Sequence, residues 1–182
     1  MMMSKATNIT SYAFAETDKL FFDANIWMYV YGPQGAPTDP KSRIYSTALA
    51  NAIRAKSNIF TDVLVVSEFI NRFARIEHQT LFRTGLAPQD FKQFRNSHDF
   101  QSIAQAITAA VRNVLKFAVR LESGFSSIDI NALLTEYETV PSDFNDQILI
   151  GLCVVNSLQL VTHDFDFKGK SVNILTANPR IL

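Results

Sequence analysis

A single cysteine, Cys153, stands in the 182 residues of this chain. It excludes an internal disulfide and any zinc site built on several thiolates. Its place in an apolar stretch predicts a small buried hydrophobe rather than a nucleophile. No apolar run approaches the roughly 20 residues that a membrane-spanning helix requires. The first ten residues lack the apolar stretch of a signal peptide, so the expectation is a cytoplasmic protein with no membrane partner. The histidines are few and scattered: His78, His98 and His163 share no ligand spacing with the cysteine or with one another. They read as surface or packing residues, and substrate contact by His163, beside Asp164, is the lesser alternative. Ser67 lacks the Gly-x-Ser-x-Gly elbow of a serine nucleophile.

Positive charge is missing from a long segment. Between 123 and 167 there is no Lys or Arg, while Asp129, Glu136, Glu138, Asp143, Asp146, Asp164 and Asp166 all fall there. Acids without a local basic partner either sit in water or share cations. Between 43 and 120 the balance reverses, which gives the middle of the chain a surface that could meet nucleic acid. Overall, 17 basic residues balance 17 acidic ones. That neutrality argues against strong nonspecific binding of polyanions.

What the chain does have is a core and an alternating pattern. An apolar share of 47% and 15 Phe are ample for one domain of this length. The domain is expected to span 1–182, with its core at about 19–176 and a short tail at 1–17. Strand-like segments are predicted at 20–22, 58–61, 125–130, 158–162 and 172–175. Helices are predicted at 43–53, 63–82, 88–95, 99–122, 131–137 and 143–156, with Gly124 capping the fourth and Asp143 opening the last. Helical connections of this length suit parallel crossovers. The fold class is therefore α/β: a three-layer α/β/α domain with a mostly parallel sheet of about five strands.

Four carboxylates occupy chemically suggestive places in that pattern. Asp23 ends the apolar run Leu20-Phe-Phe22, and Glu68 lies in the amphipathic stretch 63–82. Asp146 opens the apolar helix, and Asp164 follows the strand at 158–162. Acids at strand ends and helix starts gather at one edge of an α/β sheet, where such folds bind ligands. Two carboxylates about 4 Å apart repel by roughly 4 kcal/mol at an effective dielectric of 20. Four without cations would be costly against a total stability of roughly 5–15 kcal/mol. Oxygen ligands with no His/Cys cluster select Mg²⁺ or Mn²⁺ over zinc. Ions paired about 3.5–4 Å apart activate water and stabilise both oxygens of an in-line phosphoryl displacement.

The set Asp23-Ala-Asn25, Ser67-Glu68, Asp146-Gln-Ile-Leu-Ile150 and Thr162-His-Asp-Phe-Asp-Phe167 resembles the PIN-domain nucleases. Within them it looks most like the toxin ribonucleases of VapBC-type, type II toxin–antitoxin pairs. The resemblance covers 20–175, with extra length at 33–40 and 82–97. It implies a Mg²⁺/Mn²⁺-dependent endoribonuclease that hydrolyses RNA phosphodiesters to 5′-phosphate and 3′-hydroxyl ends. Asp23, Glu68, Asp146 and Asp164 would hold the metals. It also implies a homodimer and a small antitoxin protein that blocks the acidic pocket. A nuclease of RNA maturation, or a silent fold that only binds, are the rival expectations.

Around these four acids stand auxiliary candidates. Asn25 either orients Asp23 and contacts phosphate or caps a helix. Asp143 is an N-cap first and a metal neighbour second, and Asp166 is an auxiliary metal ligand. The Thr162 hydroxyl serves the site or caps the turn. Arg72 and Arg75, following Glu68 on its helix, are placed either to contact RNA or to face solvent. Arg112, Lys116 and Arg120 form a basic stripe that reads as a solvated helix face. Trp27, Tyr29 and Tyr31 offer stacking faces, although packing is the stronger reading. Asn25 stands where a two-aspartate phosphatase would carry its general acid, which removes that chemistry.

Overall fold

The computed structural model describes residues 5–33, 35–139 and 143–182. Its centre is the strand β2 (Lys19–Phe22), in which Leu20, Phe21 and Phe22 are all fully buried. A continuous apolar run, rather than an alternating one, is what a parallel strand covered on both faces requires. On one side β2 pairs with β3 (Asn58–Thr61), Phe21 opposite Phe60. On the other it pairs with β5 (Gln159–Val161), Phe21 opposite Leu160. β4 (Val119–Arg120) extends the sheet beyond β3, and β6 (Ile174–Thr176) and β1 (Ala6–Asn8) extend it beyond β5. The order is β1-β6-β5-β2-β3-β4, and every pairing is parallel.

Seven α-helices among the described residues flank this sheet in a three-layer α/β/α arrangement: α1 (Ala24–Tyr31), α2 (Pro40–Arg54), α3 (Val63–Arg83), α4 (Phe91–Arg95), α5 (Phe100–Phe117), α6 (Ile130–Thr139) and α7 (Phe144–Val155). α3 buries Val65, Phe69 and Phe73 at a spacing of four, and α5 buries Ile103, Ile107, Ala110 and Val114. These are single apolar stripes of helical period. α1 packs against α2, α3 and α5, with Trp27 fully buried and its ring 5.1 Å from that of Phe22. Among the described residues no helix is long and apolar enough to cross a membrane.

From β2 the chain steps outward to β3 and β4, then returns to place β5 and β6 on the opposite side of β2. The strand order therefore reverses between β2 and β5. Open parallel sheets leave a crevice at the carboxyl ends of the strands at such a reversal. Asp23 directly follows β2, and Thr162, His163 and Asp164 directly follow β5.

Two expected elements differ. The segment 125–130 is not a strand: Phe125–Ser127 is a single 3₁₀ turn entered through Gly124 at φ 66°, and Ile130 already begins α6. Nothing in it is buried, so it has no core face that would hold a strand in register. The third strand in sequence after β2 and β3 is instead β4, inside what the pattern gives as one helix to 122. α5 stops at Phe117, and Ala118 turns to an extended conformation. The chain then pairs with β3, Phe60 opposite Val119, and the Leu121 N–H donates to the Thr61 carbonyl at 2.8 Å. Gly124 therefore does not cap α5, and Arg120 leaves the helical stripe formed by Arg112 and Lys116. At the other edge, β1 lies in the segment expected to be a tail, with Ala6 opposite Ile174.

Candidate active site

Asp23 sits between β2 and α1 and is 5% exposed. Its Oδ2 accepts hydrogen bonds from Thr162 Oγ1 at 2.7 Å and from Asn25 Nδ2. The second Nδ2 hydrogen of Asn25 goes to Thr162 Oγ1 at 3.0 Å, and its Oδ1 accepts the His163 N–H at 3.1 Å. Asn25 thus orients Asp23 and fastens β2 to the loop after β5; it does not cap α1. Thr162 is fully buried and fully used. Its one hydrogen goes to Asp23, and its lone pairs take Asn25 Nδ2 and the Asp164 N–H at 3.0 Å. The hydroxyl holds two of the expected acids in register.

The carboxylates share one field. Burial raises the pKa of Asp23 to about 7; the Thr162 hydrogen bond opposes that rise, and the charges of Glu68 and Asp164 add to it. Asp146, in the first turn of α7, is also raised to about 7, by burial and then by Asp23, Asp143, Asp164 and Glu68. Glu68, on the second turn of α3, is raised by burial and by Asp143 and Asp164, against the lowering effect of Arg72. Arg72 Nη1 lies 3.6 Å from Glu68 Oε1 on exposed side chains, a pair of small energetic weight. Asp23, Glu68, Asp146 and Asp164, on four separate elements, therefore lie within reach of one another's charge.

The auxiliary candidates divide. Asp143 caps α7, its Oδ1 accepting the Asn145 N–H at 2.8 Å, while its charge still reaches Glu68 and Asp146. Asp164 caps the 3₁₀ turn Phe165–Phe167 by accepting the Asp166 N–H at 3.1 Å. Asp166 is exposed, and its charge is not among those acting on Asp23, Glu68 or Asp146. Arg75 lies 4.9 Å over the ring of Phe91, against α4, whereas Arg72 borders the site. Cys153 is fully buried and its thiol is pushed far up by burial, which leaves it inert. His78 packs among Phe82, Phe91 and Phe94.

Several residues that the sequence pattern does not single out belong to this region. Asp62, after β3, is 2% exposed and caps α3 through Oδ1 to the Val65 N–H at 2.9 Å. Its Oδ2 is buried without a partner among the described residues, and burial raises its pKa. Tyr45 is fully buried; its hydroxyl accepts the Ala177 N–H at 3.0 Å and lies 2.8 Å from His163 Nδ1. Burial and then Lys41 lower the pKa of His163, so the ring is neutral at pH 7. Asn178, after β6, donates from Nδ2 to the His163 carbonyl at 2.8 Å and accepts the Arg180 N–H at 3.0 Å. Only Asp62 carried a legible signal: it follows a strand as Asp23 does.

Among the described residues, no group of three or more His, Cys, Asp or Glu side chains is close enough together to ligate one ion. The donor chemistry fits a hard divalent cation all the same. The converging groups are all carboxylates, mutually repelling, with Arg72 the one ion-pair partner among them. No protein-family model and no curated protein matches the chain.

Proposed function

We propose that this protein is a metal-dependent endoribonuclease of PIN-domain type, acting on RNA as the toxin of a toxin–antitoxin pair. The observation that supports this is Asp23 at the end of β2, beside the strand-order reversal, tied through the Thr162 hydroxyl to Asp164 and lying in the field of Glu68 and Asp164, as Asp146 lies in that of all three. Charge of one sign concentrated in a crevice is stabilised by cations. Asp23, Glu68, Asp146 and Asp164 would hold Mg²⁺ or Mn²⁺. Bound there, the ions supply an activated water and charge stabilisation for an in-line phosphodiester displacement.

The chain's own residues do the positioning. Thr162 and Asn25 fix Oδ2 of Asp23 and with it the orientation of the carboxylate. The fixed backbone N–H of Asp164 on Thr162 sets the fourth acid against the first. Arg72 tempers the charge of Glu68 at the mouth of the site.

A silent fold that binds RNA or protein without turnover is the second reading. It is favoured by the absence, among the described residues, of a closed set of three ligating side chains. Incubating structured RNA with Mg²⁺ or Mn²⁺, with wild type beside Asp146→Asn, separates the two. Metal-dependent cutting that the variant loses supports the nuclease. RNA binding with no cutting supports the silent fold. Growth arrest on expression, relieved by Asp146→Asn, would support the toxin role over one in RNA maturation. The antitoxin and the homodimer rest on the family resemblance alone.

A further inference from the structure

A cavity of about 390 Å³ opens beside Asp164 and Asn25. That is in the range of small-molecule sites, roughly 300–1,000 Å³. Asp164 and Arg72 line it on the side of the acids. Its other charged residues are basic. Lys41, in the first turn of α2, and Arg180, after β6, both line it. Neither has a carboxylate within ion-pair distance among the described residues, although Lys41 lies in the field of Asp39.

Aromatic faces accompany the cations. The Arg180 guanidinium lies 4.2 Å from the centre of the Phe165 ring, and Phe165 is 37% exposed. Lys41 Nζ lies 5.6 Å over the Tyr29 ring, whose other neighbours are Tyr45, stacked at 5.7 Å, and His163. The framework is anchored rather than loose: Asn178 ties the Arg180 backbone to the His163 carbonyl, and Tyr45 ties the Ala177 backbone to His163. A cation with no carboxylate partner is the feature that recognises phosphate, and an arginine plane on an aromatic ring is one that stacks on a base.

We propose that this cavity is a subsite for one nucleotide of the bound strand, its phosphate held by Lys41 and Arg180 and its base stacked at Phe165 and Arg180. This deepens the nuclease reading and rests on it, because the subsite abuts the acids through Asp164. The nucleotide next to the scissile phosphate would be read here, so the cavity would contribute any base preference of cleavage. Its flat aromatic surfaces favour a nucleotide over a bare anion.

The test is calorimetric titration of adenosine 5′-monophosphate, inorganic phosphate and adenosine into the full chain in the presence of EDTA. A metal-free solution separates the subsite from the metal centre. The nucleotide is expected to bind more tightly than either fragment. Arg180→Ala and Lys41→Ala should each weaken it about tenfold, the loss of one charge-assisted contact. Phe165→Leu should weaken the nucleotide but leave phosphate unchanged. Circular dichroism and melting of each variant check that it remains folded. Equal affinity of the nucleotide and phosphate, or nucleotide binding unchanged in both cation variants, would overturn the proposal. So would preferential binding of an acidic peptide, displaced by neither fragment. If RNA cleavage is absent while nucleotide binding behaves as expected, the nuclease reading fails, and what stands is a nucleotide-binding cavity with no part in cleavage. If cleavage is present while binding ignores these residues, the reverse holds.

Discussion

Thr162 and Asp23, 139 positions apart, meet in a hydrogen bond of 2.7 Å from Oγ1 to Oδ2. This bond joins the loop after β5 to the end of β2, the two strands between which the order of the sheet reverses. Thr162→Val keeps the side-chain volume and removes the donor, and with it the acceptor for Asn25 and the Asp164 N–H. A loss of about 1–3 kcal/mol is expected, the usual cost of stranding buried polar partners. The hydrogen bond lowers the pKa of Asp23, so its loss raises that pKa further. Thr162→Ser should recover most of both effects. Denaturant unfolding and the pH profile of cleavage, compared across the three proteins, measure them.

The raised carboxylates fix the direction of the pH response without metal. Burial, with the charges of Glu68 and Asp164, raises the Asp23 pKa in the folded chain to about 7 from its ordinary 3.8. Between those values the folded state binds more protons than the unfolded one, so stability falls as pH rises. Its contribution is complete below about pH 4 and is lost as pH passes 7, with a ceiling of about 4 kcal/mol from Asp23 alone. Asp146 acts in the same direction. Melting in EDTA should therefore show a higher Tm at pH 5 than at pH 8, and Mg²⁺ or Mn²⁺ should narrow the gap at pH 8. A Tm that is flat with pH, or unmoved by both ions, would contradict the shared field.

Asp143 and Asp146 stand three residues apart and are expected to fail differently. Asp143→Ala removes the α7 cap and should cost about 0.5–2 kcal/mol. Asp143→Asn keeps an accepting oxygen and should restore most of that stability. Asp146→Asn removes charge from a group raised by burial and then by its acidic neighbours, so the metal-free protein should become more stable at pH 8 while cleavage is abolished. Paired melts and cleavage rates distinguish cap from ligand.

How far the sequence reveals this depends on the length of each signal. β2 and α7 are apolar runs that end or begin at an acid, and Asp23 and Asp146 are legible for that reason. β4 has two residues and β1 three, too few to show a period, and β4 was masked by the continuous helical pattern of α5. Lys41, Asn178 and Arg180 are invisible by pattern because they act through what the fold brings beside them. Asp164 follows its strand directly and reads as the fourth acid with Asp166 as an auxiliary, and it is Asp164 whose charge acts on Asp23, Glu68 and Asp146.

Arg72 and Arg75 look equivalent in sequence and differ in place. Arg72→Ala removes the cation beside Glu68 and from the wall of the cavity, which should raise the pKa of Glu68 further and weaken RNA binding. Arg75→Ala should cost about 0.5–1 kcal/mol of stability through lost contact with Phe91. Its effect on RNA affinity should be the smaller of the two. Filter binding with catalytically silent Asp146→Asn as the background compares them.

The most direct measurement is cleavage of structured RNA in Mg²⁺ or Mn²⁺ by wild type, Asp23→Asn and Asp146→Asn, each purified identically and shown to be folded. The account predicts cutting by wild type that EDTA stops and that both variants lack. Equal cutting by all three proteins, or none by wild type with no divalent ion bound in calorimetry, would contradict it.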